Sequence, residues 1–254
     1  EGLNCYDGTQ FTKYKKNFQN RSNSLINNNV QQIKADKKGS LLVATDEGLT
    51  IYDTKTEKFK ILKHHNKPLN DPINCFAIGP DKELIIGAYR NDSGIQLIDK
   101  NRKLKYYGHQ SNNAFSLSSN KVSSLAFQGD SILWIGTIDR GLNKFKYTSK
   151  TISRISYGPN KAIPSASINT LHTDFKGNLW IGTNRGLQVI TTKGDTLALK
   201  TSSISGKGLS DDTVLSFEED HHGNMWIGTR NGGLNILNTT SFLSKKPNLS
   251  IKWF

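Results

Sequence analysis

The sequence predicts an all-β fold, a β-propeller built from four-stranded blades, on three observations. First, one short apolar segment recurs along the chain at spacings of 43 to 49 residues. Second, each copy contains short apolar runs separated by turn residues, a pattern that indicates strands rather than helices. Third, a repeat of about 40–50 residues with four strands is typical of propeller blades, because one such sheet cannot bury both of its faces alone.

The recurring segment is clearest in the second half of the chain. Leu133-Trp134-Ile135-Gly136-Thr137 returns around Trp180 and again around Trp226, and a Gly-Leu pair follows each copy after a few polar residues. Two degenerate copies precede these, at residues 41–45 and 84–88. The positions equivalent to the tryptophan are therefore 42, 85, 134, 180 and 226, which predicts five blades.

Each copy is predicted to contain four strands. An apolar or alternating run such as residues 122–127 is the first, and the Trp-Ile-Gly-Thr segment is the second. An Asp-x-x-Gly turn, as at Asp174 and Asp220, joins the two; its carboxylate can accept backbone N–H groups while glycine takes a positive φ. The Gly-Leu segment is the third strand and a more polar run is the fourth. Because the tryptophans recur at one blade position, we expect them to lie in the core between blades.

We predict a single propeller domain over residues 1–254. Gly2-Leu3 aligns with Gly48-Leu49, so residues 1–25 are expected to supply only the outer half of a blade. Five full blades are expected at about residues 28–66, 71–110, 120–160, 166–204 and 211–248. The tail, residues 249–254, is either the last strand of the fifth blade or the first strand of another. With partial blades at both ends, the chain is expected to be a fragment of a larger propeller.

The charge of the chain does not point to a nucleic-acid partner. The formal net charge is +13, from 34 Lys plus Arg against 21 Asp plus Glu. The lysines are scattered rather than gathered in one basic run, which favours a solvated surface and predicts no nucleic-acid binding. No segment has the 18 or so apolar residues of a membrane-spanning helix. The two cysteines, Cys5 and Cys75, are too few for a disulfide framework.

No catalytic residue, metal site or cofactor is predicted. The chain lacks a Gly-x-Ser-x-Gly elbow, a His-Glu-x-x-His pair and a complete phosphate loop. Adjacent histidines such as His221 and His222 point to opposite faces of an extended segment, and these two fall in an Asp-x-x-Gly turn, so a surface turn is favoured over a metal site. We therefore predict that this domain is not an enzyme.

Candidate ligand-binding residues lie between the second and third strands. In a propeller these loops surround one mouth of the central channel, together with the connections between blades, and here they do not repeat. Variable loops on a constant scaffold are where binding is usually found. Arg, Asn and Asp can bind sugar hydroxyls, and Arg can bind a uronate carboxylate with two hydrogen bonds, although solvated turn residues would look the same. The predicted set is Tyr89, Arg90, Asn91, Asp139, Arg140, Asn184, Arg185, Arg230 and Asn231.

The repeat resembles the two-component regulator propeller repeat over nearly the whole chain. Its core, Asp-x-x-Gly-Asn-x-Trp-Ile-Gly-Thr, stands at residues 174–183 and 220–229; the second copy departs most, since it lacks the Trp and carries a longer insertion. The resemblance implies the periplasmic sensor of a membrane-bound hybrid histidine kinase, with a small-molecule ligand for which oligosaccharides are the expected class. It also implies further domains of the parent sensor as partners, and it is compatible with a homodimer.

Two other functions compete with this one. A propeller can serve as a protein–protein scaffold without a small ligand, and some propellers act on carbohydrates as enzymes. A membrane helix and a kinase downstream in the parent gene would select the sensor. Loss of catalysis on mutation of one channel carboxylate would select the enzyme.

Overall fold

The computed structural model describes residues 1–20, 23–36, 38–64, 67–68, 72–88, 94–158, 161, 163–202, 204, 207–244 and 250–254. Within these residues the predicted all-β propeller fold is confirmed. Five four-stranded antiparallel sheets form the blades, and the strands of each follow one another in chain order. The chain divides into two compact units, residues 1–107 and 108–254, which are described in turn.

The first unit contains a half-blade, two full blades and a small hairpin. The half-blade consists of β1 (Leu3–Tyr6) and β2 (Phe11–Tyr14). The first blade consists of β3 (Val30–Ala35), β4 (Leu41–Thr45), β5 (Gly48–Asp53) and β6 (Lys58–Ile61). The hairpin consists of β7 (Lys63–His64) and β8 (Lys67–Pro68). The second blade consists of β9 (Cys75–Ile78), β10 (Leu84–Gly87), β11 (Ile95–Ile98) and β12 (Leu104–Tyr107).

Aromatic and aliphatic side chains hold the sheets of the first unit face to face. Tyr14 of the half-blade packs against Tyr52 and Phe59 of the first blade, and the two tyrosine hydroxyls lie 2.8 Å apart. A second apolar cluster joins the first blade to the second; it consists of Leu42, Ala44, Leu49, Ile73, Phe76, Leu84 and Ile86. The half-blade therefore stacks on its neighbour as a full blade does.

The second unit contains three full blades and one short helix. The third blade consists of β13 (Val122–Gln128), β14 (Ile132–Thr137), β15 (Leu142–Lys146) and β16 (Thr151–Ile155). The fourth consists of β17 (Ile168–Thr173), β18 (Leu179–Thr183), β19 (Gly186–Ile190) and β20 (Thr196–Leu199). The fifth consists of β21 (Val214–Glu219), β22 (Asn224–Thr229), β23 (Leu234–Asn238) and β24 (Ile251–Trp253), with α1 (Thr239–Leu243) between its last two strands.

The last strand decides between the two interpretations of the tail. Strand β24 pairs with β23 in antiparallel register, with Ile251 opposite Leu237. The tail is therefore the fourth strand of the fifth blade, and this blade continues past residue 248.

Two of the three second-strand tryptophans, and the glycine of the fourth blade's second strand, lie where blades meet. The expectation of a core position is wrong for Trp226, which is 36% exposed at the face of the fifth blade. Trp180 is fully buried, and its ring packs against Phe217 and Phe242 of the fifth blade. Trp134 lies in the cluster between the third and fourth blades, so the predicted inter-blade position is confirmed for both residues. A Cβ on Gly182 would lie 2.6 Å from Thr170 Cγ2 and 2.8 Å from a methyl group of the next blade, so only glycine fits between these sheets.

The Asp-x-x-Gly turns have the predicted geometry. In the fourth blade the Asp174 Oδ1 accepts the backbone N–H of Asn178 at 2.7 Å, and Gly177 has a φ of 83°. The Asp174 Oδ2 accepts the indole N–H of Trp180 at 2.9 Å, a contact that Asp220 and Trp226 repeat in the fifth blade. Each aspartate thus ties its turn to the tryptophan of the second strand. The indole of Trp226 is the main reason why the pKa of Asp220 lies well below its usual range.

Candidate functional site

The loops between second and third strands, called the mouth loops from here on, lie at residues 138–140, 184–185 and 230–232 of the second unit. Each meets a connection between blades. The N–H of Gly141 donates to Ala166 O and the N–H of Gly186 donates to Asp212 O, both at 2.7 Å. The N–H of Arg230 donates to Thr213 O at 3.0 Å. Mouth loops and blade connections of this unit therefore share one end of its sheets, as predicted.

In the second unit, a buried threonine at the end of each second strand sets the conformation of the mouth loop. Thr183 Oγ1 donates to Gly186 O at 2.8 Å and accepts the N–H of Arg185 at 2.9 Å. Thr137 Oγ1 likewise donates to Gly141 O at 2.8 Å and accepts the N–H of Arg140 at 3.1 Å. The repeated threonine therefore holds the loop backbone, which leaves the side chains of the loop free to differ between blades.

In four of the five blades a β-bulge turns one side chain of the first strand out of its usual alternation; the first strand of the second blade pairs without a register shift. The register shifts after Val30, Val122, Ile168 and Val214, so the next residue of each strand has no partner opposite. These bulged residues are Gln31, Ser123, Asn169 and Leu215. Sequence reasoning missed them; the signal was a polar residue, in three of the four strands, directly after the first apolar residue.

In the fourth blade the bulged residue fixes the mouth loop. Asn169 Nδ2 donates to Asn184 Oδ1 at 2.8 Å and to Val214 O of the next blade at 3.0 Å. Asn184 Nδ2 in turn donates to Ser167 Oγ at 3.3 Å. The amide of Asn184 is therefore engaged within the protein, whereas the neighbouring Arg185 is exposed.

Acidic side chains in the other two mouth regions are also engaged. In the third blade Asp139 Oδ2 lies 3.6 Å from the Lys121 ammonium, and Asp139 Oδ1 is buried with no partner among the described residues. In the fifth blade Asp211 accepts the N–H of Thr213 at 2.6 Å through one oxygen and the side-chain amide of Asn231 at 3.4 Å through the other. These contacts assign Asp139 and Asn231 a part in holding the loops together.

The three arginines of the predicted set differ from their neighbours. Arg140, Arg185 and Arg230 are all exposed. Among the residues that the structure describes, none of the three guanidinium groups has a hydrogen-bond or ion-pair partner. At this end of the sheets they present exposed hydrogen-bond donors to solvent.

The first unit has a different arrangement at its mouth loop. Asp46 accepts the side-chain amides of Asn29 at 3.2 Å and Gln31 at 2.8 Å. Glu47, which stands where Arg140 and Arg185 stand in their blades, forms an ion pair with Lys16 at 2.7 Å, and this contact lowers the pKa of its carboxyl. The predicted residues Tyr89, Arg90 and Asn91 of the second blade lie outside the described residues.

A cavity of about 590 Å³ lies beside the half-blade in the first unit. Its lining combines lysine, amide and aromatic side chains: Lys13, Tyr14, Lys15, Lys16, Asn17, Phe18, Gln19, Asn23, Ser24 and Phe59. Sequence reasoning missed this cavity because its residues come from a linker and two fourth strands, which have no shared motif.

The part of the chain that the structure describes shows neither a metal-binding cluster nor a membrane-spanning helix. No group of three or more His, Cys, Asp or Glu side chains is placed to hold a metal ion. No helix there is both long and apolar enough to cross a bilayer.

The fold and these loops define a repeat β-propeller whose second unit carries polar mouth loops, with three exposed arginines that have no partner in the part of the chain that the structure describes. Two of its repeats, at residues 162–185 and 208–231, match the family described as two component regulator propeller. The chain therefore contains two repeats of this family.

Known proteins similar to the chain include a kinase, by sequence, and an extracellular domain, by fold. Histidine kinase P4 of Formosa agariphila is 30% identical over 197 residues, which cover 74% of this chain and 14% of the kinase. An extracellular domain assigned to a hybrid two-component system of B. thetaiotaomicron has a TM-score of 0.74 at 24% identity, over 92% of this chain and 30% of that one. The chain thus spans less than a third of the length of either relative.

The same fold also occurs in an enzyme. Virginiamycin B lyase of Staphylococcus aureus has a TM-score of 0.62 at 14% identity, over 89% of this chain and 69% of the lyase. An identity this low relates the two proteins by fold alone.

Proposed function

We propose that the chain is the ligand-sensing propeller of a two-component sensor histidine kinase, located in the periplasm, and that it detects oligosaccharides and signals across the membrane. The observation that carries this proposal is the mouth of the second unit. There, constant hydrogen bonds hold the loops, while Arg140, Arg185 and Arg230 are exposed and unpaired among the described residues. Ordered loops with free polar groups are suited to binding.

The relatives support the larger context. One is a histidine kinase, and a protein of the same fold is an extracellular domain assigned to a hybrid two-component system. In such a protein the propeller would bind the ligand and the other domains would carry the signal. Ligand binding can drive this coupling only if the ligand has a higher affinity for one arrangement of the domains than for the other.

Binding, rather than catalysis, is the role we assign to this domain. One oxygen of Asp139 is paired with Lys121, and both oxygens of Asp211 accept hydrogen bonds, from Thr213 and Asn231. Groups engaged in this way are poorly placed to serve as a general acid and base pair, which glycoside hydrolysis requires. The arginines, in contrast, can bind a ligand without any change in these contacts.

A thermal-shift screen of the purified chain against neutral and acidic oligosaccharides tests the proposal. A ligand that binds only the folded state stabilises it by about 2.7 kcal/mol at a concentration of 100 Kd, which is easily measured. A reproducible shift with one glycan class, confirmed by calorimetry, is the expected result. If no glycan shifts the transition of the folded chain, oligosaccharide sensing by this domain is refuted and the scaffold function gains support.

A further inference from the structure

We propose that the mouth of the second unit binds an anionic oligosaccharide, one that carries uronate carboxylates or sulfate esters, through the guanidinium groups of Arg140, Arg185 and Arg230. This inference rests on the proposed sensor function and narrows its ligand class.

The placement of the arginines is regular. Each belongs to the mouth loop of one of three consecutive blades, and in each the backbone N–H is fixed. Arg140 and Arg185 donate to the threonine at the end of the second strand, at 3.1 and 2.9 Å, and Arg230 donates to Thr213 O at 3.0 Å. A hydrogen bond from Ser123 Oγ to Ile168 O, at 2.6 Å, further ties the third blade to the fourth. Three consecutive mouth loops therefore each carry one arginine at the same end of the sheets, on a backbone held by hydrogen bonds.

The acidic neighbours do not neutralise these cations. Asp139 is paired with Lys121 at 3.6 Å, and Asp211 accepts two hydrogen bonds from its own region. Asp212 Oδ1 accepts the N–H of Thr201 at 2.7 Å. Nearby opposite charges would quench the field of a guanidinium, but none lies within ion-pair distance of the three arginines among the described residues.

The choice of arginine is specific to these loops. The chain has 27 lysines and 7 arginines, so a basic residue placed without selection would be lysine about four times in five. Yet every basic residue between a second and a third strand is arginine: Arg90, Arg140, Arg185 and Arg230. A solvated surface does not require this bias. Bidentate binding of a carboxylate or sulfate requires arginine rather than lysine, because only the planar guanidinium presents two parallel N–H donors.

Calorimetric titration of the full chain tests the inference with three probes of equal length. These are a galacturonate trisaccharide, a sulfated galactan trisaccharide and a neutral galactan trisaccharide. We expect at least one anionic probe to bind about tenfold or more tightly than the neutral one, and its affinity to fall as salt is raised. The carboxylated and sulfated probes separate the two kinds of anion.

Charge-matched variants locate the site. Arg140→Gln, Arg185→Gln and Arg230→Gln should each weaken binding of the anionic probe about tenfold, the worth of one charge-assisted contact. Arg185→Lys keeps the charge but lacks the two parallel N–H donors of the guanidinium, so it should also weaken binding of the anionic probe. Lys193→Gln removes the same charge from an exposed turn between the third and fourth strands, at the opposite end of the blade, and should change nothing.

Four outcomes would overturn the inference. The first is a preference for the neutral probe, which would leave the sensor function standing with a different ligand class. The second is anionic binding that survives all three arginine variants. The third is loss of that binding in Lys15→Gln, a variant of the cavity in the first unit, which would move the site there. The fourth is absence of binding by all three probes, which would reject the anionic ligand. Absence of binding across the wider glycan screen would reject the sensor function itself.

Discussion

Trp180 and Trp226 occupy the same position in consecutive blades and differ mainly in burial. Each indole donates to the aspartate of its own turn, Asp174 or Asp220, at 2.9 Å. Trp180 is 0% exposed, whereas Trp226 is 36% exposed. Replacing each with alanine therefore separates the contribution of packing between blades from that of the shared hydrogen bond.

The expected costs follow from these environments. Trp180→Ala removes a fully buried ring that packs on Phe217 and Phe242, with centroids 6.0 and 5.6 Å away. Truncation of a buried Trp costs about 3–5 kcal/mol, and for a chain of this size that lowers Tm by on the order of 10 °C. Trp226→Ala loses the indole hydrogen bond but much less packing, so about 2 kcal/mol or less is expected.

Urea denaturation followed by tryptophan fluorescence and near-UV circular dichroism gives both free energies of unfolding. Trp180→Phe serves as a third variant, because it keeps most of the apolar volume and removes only the indole donor. Its cost should lie between those of the two alanine variants or close to that of Trp226→Ala. Equal costs for the two alanine variants, or a cost below about 1 kcal/mol for Trp180→Ala, would refute the assignment of Trp180 to the core between blades.

Three further predictions concern single residues. The pKa of Asp7 is lowered from 3.8 to about 2, chiefly by the backbone N–H of Gln10, so its stabilising effect is full above pH 4 and is lost as pH falls toward 2. Asp7→Asn should flatten the pH dependence of stability in that window, measured by urea titration; an unchanged slope contradicts this. Burial raises the pKa of Cys75 to about 12 while Cys5 is exposed, so iodoacetamide should label only Cys5 in the native chain, as mass spectrometry can check. Gly182→Ala should cost about 1–3 kcal/mol by thermal unfolding, since its Cβ has no room.

The fold could be predicted from the sequence because the residues that determine it recur in each repeat. The tryptophan, the glycine and the Asp-x-x-Gly turn each have one local or inter-blade role, and repetition makes that role visible. Features without a counterpart in other blades could not be found this way. The helix Thr239–Leu243 and the hairpin at residues 63–68 occur once each, so no comparison between copies reveals them.

The candidate site was only partly accessible to sequence reasoning. The mouth loops stood out because they vary, but variation does not separate residues that bind from residues that support. Asn184 and Asn231 look like ligand-binding amides, yet they donate to Ser167 and Asp211 of the protein. The partner that engages Asn184 is Asn169, a bulged residue, and a bulge changes side-chain direction without leaving a sequence motif.

In the mouth loops, the groups that hold the backbone are separate from the side chains that vary between blades. Thr137 and Thr183 hold the loop backbone through their hydroxyl groups, so the loop keeps its shape whatever side chain follows. The equivalent threonine of the first blade, Thr45, makes the same bond to Gly48 O at 2.9 Å, although an acidic residue, Glu47, stands there in place of arginine. The residue before the Gly-Leu pair can therefore be acidic in one blade and basic in another while the threonine contact is kept. In the proposed sensor, substitution of the exposed arginines is therefore expected to change the ligand class while the hydrogen bonds that hold the loop backbone remain.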